Sequence, residues 1–320
     1  MQTSVNDQAK VSINRISILI PVFRSAESLP ILVERLIAVM NDMKRDYEII
    51  MVDDHSPDNS WDVLKSLKKQ HHDHIKTIRL RANSGQHNAI LCGFSQVTGD
   101  IVITMDDDLQ NPPEEIPNLV KAIDMGYDLA IGEYDSKKHS GIRNSMGWLI
   151  DTLQRWMFKL PHNFQLTSFR AIKRSVVDLV NQMGGTFPYI TCMLFSNASS
   201  YVNVPVRHEP RQYGHSNYDI KRSLLLATNI LISYSPYPLY LVAFLCAIAF
   251  MFCVVFALIT FLKVHRYGTS VPGWASTVLI VTGFNAITLL ALLIALIYIV
   301  RINQQLTRTR IGYAISEMHE

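Results

Sequence analysis

The stretch YEIIMVDDHSPDNSWDVLKSL, residues 47–67, holds one complete repeating unit of the fold: an apolar run, two adjacent acids, a turn and a helical pattern. Three other runs have the same β-rich character and also precede helical patterns, namely ISILIPVF at 16–23, IKTIRL at 75–80 and DIVITM at 100–105. Such alternation is typical of βαβ units and a mostly parallel sheet. We therefore predict an α/β domain whose helices begin near Ser28, Trp61 and Gln86 and after Pro113.

Acidic side chains follow two of the predicted strands, in VDDHSPDNS at 52–60 and in MDDDLQ at 105–110. Ligands of parallel α/β sheets bind beyond the carboxyl ends of the strands. Hard cations such as Mg²⁺ or Mn²⁺ prefer carboxylate and phosphate oxygens, so Asp106 and Asp108 could share an ion with a nucleotide. The alternative is that these acids only cap the helix after Pro113, although one acid would suffice for capping.

Apolar residues concentrate near the C-terminus of this 320-residue chain, in blocks at 239–262 and 274–300. Neither block contains a charged residue. Each is longer than the roughly 20 helical residues that cross a hydrocarbon layer. A pair of core helices in a soluble domain would require polar faces, which these blocks lack. We predict two membrane spans.

The charges that flank the two blocks indicate their orientation. Lys221 and Arg222 precede the first block and Arg301 follows the second, whereas the connecting loop carries only Lys263 and Arg266. Lysine and arginine accumulate on the cytosolic side of membrane proteins. The first residues hold no apolar segment that resembles a secretory signal. We expect a multi-pass protein of the inner (plasma) membrane, with the α/β domain and both termini in the cytosol.

These patterns divide the chain into successive segments. The predicted order is a polar N-terminal tail at 1–15, the α/β domain at 16–218, a juxtamembrane amphipathic segment at 219–238, transmembrane helices at 239–262 and 274–300, and a cytosolic tail at 301–320. Within the α/β domain, the segment 144–160 places Leu149, Leu153 and Trp156 on one helical face. That stripe fits either a helix in the membrane interface or one packed on the sheet.

Four blocks of the sequence carry a resemblance: VDDHSPDNS at 52–60, NSGQHNAILCGF at 83–94, TGDIVITMDDDLQNPPEEIP at 98–117 and RQYGHSNY at 211–218. In this order, and followed by two apolar blocks, they resemble the membrane-attached family 2 glycosyltransferases that load polyprenyl phosphates. The resemblance covers nearly the whole chain from Ile16 to the second apolar block. It implies a GT-A-type, Rossmann-like domain followed by a two-helix transmembrane hairpin.

The resemblance also implies roles for individual residues. The metal motif, for Mg²⁺ or Mn²⁺, corresponds to Asp106, Asp108 and Gln110. Arg211 corresponds to an arginine on a mobile loop that closes over phosphates, and it completes the catalytic set with Asp106 and Asp108. The implied donor-binding residues are Pro21, which marks the turn after the first strand, Asp54, which contacts the nucleobase, and Gln86, His87, Asp106 and Ser216. The acceptor phosphate is implied to meet Arg143 and Arg170.

Three positions depart from the family pattern. Asp107 stands where relatives usually carry a small residue, and Asn217 stands where many have lysine. Gln165 occupies a position where relatives often have an acid. These departures change the charge around the expected phosphate site, so they leave the donor sugar open while the reaction class stands.

The expected reaction is inverting, metal-dependent transfer of a sugar from a nucleotide donor, with uridine diphosphate favoured, to undecaprenyl or another polyprenyl phosphate for envelope glycan modification. The expected partners are the lipid bilayer and further copies of the chain in a homo-oligomer, without nucleic acid. An acceptor phosphate is already largely ionised at neutral pH and needs no strong base. Two alternatives stay open: a hydroxyl acceptor, for which Asp107 is the first candidate base, and a non-catalytic membrane assembly module.

Overall fold

The structure is a computed structural model that describes residues 15–134, 160–161, 164–183, 188–210, 273–307 and 312–320, with isolated residues between 152 and 266. The chain divides into two units, residues 1–223 with 310–320 and residues 224–309. Several predictions concern positions outside the described residues: the stripe at 144–160 in large part, the juxtamembrane segment at 219–238, and the site residues Arg143, Arg211 and Ser216.

One eight-stranded sheet forms the framework of the first unit. Its strands are β1 (Arg15–Val22), β2 (Asp46–Asp53), β3 (Ile75–Leu80), β4 (Ile101–Thr104), β5 (Leu129–Tyr134), β6 (Arg170–Lys173), β7 (Tyr201–Val206) and β8 (Ile315–His319). They lie in the order β7-β5-β6-β4-β1-β2-β3-β8. The pairs β4-β1, β1-β2, β2-β3 and β5-β7 are parallel, and β6 and β8 pair with their neighbours in antiparallel fashion. The predicted parallel sheet is thus confirmed in its central strands.

Within the described residues of the first unit, the helices are α1 (Leu29–Met43), α2 (Ser60–Gln70), α3 (Gln86–Phe94), α4 (Ile116–Asp124), α5 (Arg174–Met183) and α6 (Ile190–Asn197). The four helices predicted from the sequence correspond to α1 to α4, with a 3₁₀ turn at Pro113–Glu115 before α4. Proline fits the first turn of α1, where no partner for its missing N–H is needed. Lys44 ends α1 in a left-handed conformation, with φ of 52°.

The central strands are buried on both faces, which explains why they read as nearly continuous apolar runs. Every residue of β2 after Asp46 is buried, and so is every residue of β4. Their side chains join those of α1, α2 and α4 in one core, which includes Ile18, Leu32, Leu64, Ile103 and Leu119. This core fixes the positions of the strand ends, where the acidic clusters follow.

Pro21 lies inside β1 rather than in a turn, which corrects the expectation from the sequence. It is paired in register with Val52 of β2. On the other side of β1, pairing with β4 ends at Leu19 and Thr104. The missing N–H of Pro21 therefore falls beyond the β4 ladder, where β1 has become an edge and proline is tolerated. The turn begins only after Val22.

Strand β8 covers the outer edge of β3, although the sequence predicts only a cytosolic tail at 301–320. Thr77 pairs with His319, and Ile78 pairs with Met318. A second contact reaches α2: the indole N–H of Trp61 donates a hydrogen bond to Glu317 Oε2 at 3.2 Å. The His319 ring also stacks on Trp61, with 5.7 Å between ring centroids. The end of the chain thereby protects an otherwise unpaired strand edge.

The second unit contains α7 (Trp274–Thr307), which includes the second predicted span at 274–300. Counting only the described residues, no helix has both the length and the apolar character needed to cross a membrane. Most residues of the first predicted span, 239–262, lie outside the described part of the chain. The transmembrane hairpin therefore stays a prediction from the sequence.

We predict that Glu317→Ala destabilises the first unit by about 1–2 kcal/mol, because it removes the hydrogen-bond partner of the buried Trp61 indole. The thermal unfolding midpoint of the detergent-solubilised protein should fall by roughly 2–4 °C for each kcal/mol. Glu320→Ala is the matched control, since Glu320 forms only an exposed ion pair with Lys76. Equal unfolding midpoints for the two variants would show that β8 does not support α2.

Candidate active site

The two acidic clusters meet at one edge of the sheet. β1 lies between β2 and β4, and all three strands are parallel, so their carboxyl ends share this edge. The chain passes from β1 outward to β2 and β3 and then returns to β4 on the opposite side of β1. A reversal of this kind is the switch point at which α/β sheets bind ligands. The loops after β1, β2 and β4 therefore border a candidate cleft.

The carboxylates of Asp106 and Asp108 are half-buried at this switch point. Asp106 accepts hydrogen bonds from Gln86 Nε2 at 2.7 Å and from Ser168 Oγ at 2.5 Å. Asp108 Oδ1 accepts one from the Gln110 N–H at 3.1 Å. Burial raises the pKa of Asp106 and the Asp108 charge adds to that rise, while Ser168 acts against it. The pair concentrates negative charge that a cation would relieve.

The Asp107 side chain reaches a different part of the fold from its two neighbours. Its Oδ2 atom accepts hydrogen bonds from the Phe23 N–H at 3.1 Å and from Ser25 Oγ at 2.5 Å. Burial raises the pKa of Asp107 to about 7, although both of these hydrogen bonds act in the opposite direction. Asp107 is therefore bound to the β1–α1 loop, and its alternative role as the base for a hydroxyl acceptor stays a prediction from the sequence.

Leu109 stabilises the turn that follows the three acids. Leu109 has a left-handed φ of 62°, an unfavourable conformation for a residue with a Cβ atom. Its side chain is only 2% exposed, so core packing holds the strained backbone in place. The turn directs Gln110 back toward the segment after β7, where the Glu209 N–H donates to the Gln110 carbonyl at 2.9 Å.

Arg170 supplies a buried positive charge beside Asp106. It is 7% exposed, and its guanidinium donates to the Thr167 carbonyl and, at 2.9 Å, to Thr191 Oγ1. Burial lowers the pKa of Arg170, while Tyr189 and Asp106 raise it. The described hydrogen-bond partners of the Arg170 guanidinium are thus the Thr167 carbonyl and Thr191 Oγ1. Contact with an acceptor phosphate stays a prediction.

Asp53 and Asp54 at the end of β2 organise the neighbouring loops. The Asp54 carboxylate accepts hydrogen bonds from the N–H groups of Ser84 and Gly85 at 2.6 and 2.8 Å. Burial raises the pKa of Asp54, and these two bonds lower it. Asp53 is buried and forms an ion pair with Arg79 at 3.2 Å. The structure shows Asp54 fixing the β3–α3 loop, and its contact with a nucleobase stays a prediction.

Gln86 and His87 form the first turn of α3, after Gly85 with φ of 88°. Gln86 is exposed and reaches Asp106, as described above. His87 packs edge-on against Tyr189, with 4.6 Å between ring centroids. Burial lowers the pKa of His87 to about 4, and the charge of Arg170 contributes to this shift. This shift favours a neutral His87 imidazole at physiological pH, and its contact with the donor stays a prediction.

The sequence analysis misses several side chains that the fold brings to this site: Ser168, Tyr134 and His208. The Tyr134 ring stacks on His208 at 4.1 Å, and its hydroxyl donates to Asn111 Oδ1 at 2.6 Å. Gln165, noted for its departure from the family, accepts from the N–H of Tyr134 and donates to its carbonyl, at 3.0 and 2.9 Å. Of these three residues, only Ser168 has a sequence signal, because it lies two residues before Arg170.

The residues present fit a hard divalent cation. Asp106 and Asp108 offer carboxylate oxygens on alternate residues, and an ionised carboxylate has about four lone-pair sites for hydrogen bonds and metal contacts. In the described part of the chain, no three His, Cys, Asp or Glu side chains form a metal-binding group. Oxygen ligands from a substrate phosphate would complete such a site, as is usual for Mg²⁺.

We predict that His87 makes the fold sensitive to acid. The unfolded chain binds a proton at His87 below its ordinary pKa of 6.5, whereas the folded chain does so only near 4. Folding stability is therefore fully present above about pH 6.5 and falls as the pH drops toward 4, by on the order of 2 kcal/mol. His87→Asn should reduce this loss between pH about 7 and about 4.5, as measured by thermal unfolding midpoints.

The matched control for that measurement is His72→Asn, because the His72 side chain is 76% exposed. Removal of the His87 ring also removes packing, which affects stability at every pH. The prediction is therefore tested only by the change in the unfolding midpoint between the two pH values. If His87→Asn and His72→Asn lose the same stability on acidification, His87 does not titrate as proposed.

The chain is similar to known proteins over much of its length. The family profile described as glycosyl transferase family 2 matches residues 17–185. The undecaprenyl-phosphate 4-deoxy-4-formamido-L-arabinose transferase of Photorhabdus laumondii is 34% identical over 231 residues, which cover 72% of this chain and 71% of that protein.

Two solved structures show a weaker similarity to the chain. Glucosyl-3-phosphoglycerate synthase from Mycobacterium tuberculosis, solved with Mn²⁺ and uridine-diphosphate-glucose, is 16% identical with a TM-score of 0.46, covering 68% of this chain and 77% of that chain. Mannosyl-3-phosphoglycerate synthase from Rubrobacter xylanophilus is 15% identical with a TM-score of 0.49, covering 68% and 74%. At such scores, neither structure supports a conclusion about donor, acceptor or metal.

Proposed function

The chain belongs to glycosyl transferase family 2, and on this basis we propose that it transfers a sugar from a uridine diphosphate donor to undecaprenyl or another polyprenyl phosphate. That it is a glycosyltransferase with a GT-A-type α/β domain follows from the family match and from the identity to an enzyme of this class. The name of the 34% identical relative supports the polyprenyl-phosphate acceptor. The donor, the metal and the membrane location are part of the proposal.

The observation that carries the proposal is the pair Asp106 and Asp108 at the switch point of the sheet. Both carboxylates are half-buried yet accessible, and Gln86 and Ser168 fix the orientation of Asp106. Buried acids that serve only as helix caps do not need such an arrangement across three loops. The placement instead suits the diphosphate of a nucleotide together with a divalent cation.

In the proposed site, Asp106, Asp108 and the Gln110 side-chain oxygen would hold the metal ion, either Mg²⁺ or Mn²⁺. Such an ion, when bound, neutralises the negative charge that develops on a departing nucleoside diphosphate. Ser168 and Gln86 keep the Asp106 carboxylate in one orientation through their hydrogen bonds. Arg170 lowers the electrostatic cost of the adjacent Asp106 carboxylate, because its buried guanidinium carries the opposite charge.

The proposed reaction is a single displacement. An oxygen of the acceptor phosphate bonds to the anomeric carbon of the sugar, and the bond from that carbon to the donor diphosphate breaks, so the configuration inverts. The nucleoside diphosphate leaves with the bonding electron pair. The acceptor phosphate is largely ionised at neutral pH, with a second pKa of about 6, and requires no strong base.

A lipid acceptor is consistent with the membrane hairpin predicted from the sequence. The blocks at 239–262 and 274–300 lack charged residues and would hold the α/β domain at the cytosolic face of the inner membrane. Arg143 and Arg211 would then meet the acceptor and donor phosphates, since arginine makes permanent, bidentate contacts with them. These placements rest on the sequence and the family resemblance.

We predict that Asp108→Asn lowers turnover on the order of 100-fold while the protein stays folded, because it removes a ligand charge at the metal rather than core packing. The measurement is release of uridine diphosphate from a panel of donors at limiting Mn²⁺, with the unfolding midpoint recorded in parallel.

Asp124→Asn provides the matched control for Asp108→Asn. It makes the same chemical change at an exposed ion pair with Arg45, away from the strand ends, and should leave turnover unchanged. Full activity of Asp108→Asn at limiting metal would remove Asp108 from the metal site.

We predict that the full-length protein forms a phosphate-linked sugar lipid when given labelled donor, metal and undecaprenyl phosphate in liposomes. The product should survive base treatment that cleaves acyl esters and be released by mild acid. A soluble glycan offered in parallel tests the hydroxyl-acceptor alternative, and Asp108→Asn gives the background. Labelled glycan without labelled lipid would replace the proposed acceptor, and no diphosphate release from any donor would support a non-catalytic module.

A further inference from the structure

The loop between β1 and α1, residues 23–28, is fastened to Asp107 by three hydrogen bonds. The Phe23 N–H and Ser25 Oγ donate to Asp107 Oδ2, at 3.1 and 2.5 Å. Ser28 Oγ donates to the backbone carbonyl of Asp107 at 2.7 Å. The first two bonds depend on the aspartate side chain, so a residue without a side-chain acceptor at position 107 would release this part of the loop.

The same loop is also joined to the segment that follows β2. The Arg24 N–H donates to Ser56 Oγ at 3.0 Å, and the Ser25 N–H donates to Ser60 Oγ at 2.9 Å. Asp107 thus belongs to a hydrogen-bonded series that connects the carboxyl ends of β4, β1 and β2. These strand ends border the candidate cleft. The position of the 23–28 loop therefore determines the shape of the part of the cleft in which we expect the nucleotide donor to bind.

Arg24 is the one basic residue of the 23–28 loop. Its φ of 59° is left-handed, a conformation that persists in a non-glycine residue only where the surroundings hold it. The side chain is exposed, and the guanidinium lies 5.1 Å from the centre of the Phe23 ring. Among the residues that the structure describes, Arg24 forms no ion pair, so its charge is available to an anionic ligand.

We propose that Asp107 is a positioning residue for donor binding, which holds the 23–28 loop so that Arg24 meets the diphosphate of the nucleotide donor. Arginine is suited to a diphosphate by its permanent charge and bidentate geometry. The inference rests on the proposed function, because the donor it invokes is a nucleoside diphosphate sugar. It also gives the middle acid of the motif a task distinct from those of Asp106 and Asp108.

The test compares Asp107→Ala, Asp107→Asn and Arg24→Ala by titration calorimetry with uridine diphosphate and Mn²⁺, and by donor KM and kcat. Asp107→Ala and Arg24→Ala should each weaken nucleotide binding and raise donor KM about tenfold, with kcat within about twofold of wild type. Asp107→Asn keeps an acceptor oxygen and should restore affinity to within about threefold. Because Asp107 is proposed to act through Arg24, the losses of affinity in the two single variants should not add. The dissociation constant of the double variant for uridine diphosphate should be at most about twice that of the single variant that binds more weakly.

Asp124→Ala is the control for Asp107→Ala, since Asp124 lies in an exposed ion pair with Arg45. If Asp107→Ala fails to fold, Ser25→Ala carries the test, because it removes only the hydroxyl that donates to Asp107. Its control is Ser66→Ala on the exposed face of α2. Ser25→Ala should weaken nucleotide binding severalfold and Ser66→Ala should not.

Unchanged nucleotide affinity in Asp107→Ala, or a fall in kcat without a rise in donor KM, would overturn the proposal. Additive losses in the double variant would also overturn it, because they would show that Arg24 acts independently of Asp107. The binding measurement needs no acceptor. If the wild-type protein transfers no sugar to the lipid while the variants bind the nucleotide more weakly, the polyprenyl-phosphate acceptor is rejected and this inference is kept. A wild-type protein that does not bind uridine diphosphate rejects both.

Discussion

Electrostatic repulsion among Asp106, Asp107 and Asp108 is the constraint on which the site depends. Three neighbouring carboxylates at the end of a buried strand destabilise one another unless each finds separate compensation. The fold provides it by turning Asp106 toward Gln86 and Ser168 and Asp107 toward the β1–α1 loop. Asp108 bonds the backbone of the turn that follows it. One stretch of chain thereby serves the candidate metal site and the support of a neighbouring loop.

The loops around the cleft are supported chiefly by acids acting on backbone N–H groups. Asp54 holds the loop before α3 through Ser84 and Gly85, and Asp107 holds the loop after β1 through Phe23. A carboxylate can accept several such bonds, and bonds to a charged acceptor are stronger than neutral ones. Loops fixed in this way can present ligand-binding groups with little loss of conformational entropy on binding. The left-handed Arg24 and Leu109 are strained positions that these contacts help to maintain.

The first unit also depends on the last residues of the chain. β8 closes the edge of β3 that would otherwise expose unpaired backbone groups, and Glu317 satisfies the buried indole of Trp61. Arg79 of β3 lies over the same indole at 5.7 Å and pairs with Asp53 beside the candidate donor site. Through Trp61 and Arg79, β8 therefore helps to hold Asp53 at the strand end where we propose that the donor binds. In sequence it follows α7 and the predicted spans.

Hydrophobic periodicity and contiguous motifs are local signals, and they sufficed to predict the strands β1 to β4, the helices α1 to α4 and the family. The same signals put the acidic clusters at strand ends, since parallel strands share one ligand-binding edge. The partner of each acid depends instead on contacts between distant parts of the chain: Ser25 and Asp107 are 82 residues apart, and Ser168 and Asp106 are 62 apart. The same holds for β8, which lies far from β3 in sequence and has mostly exposed side chains. Periodicity carries no information about pairing over such separations, because the choice of partner depends on how packed elements bring distant side chains within hydrogen-bonding distance.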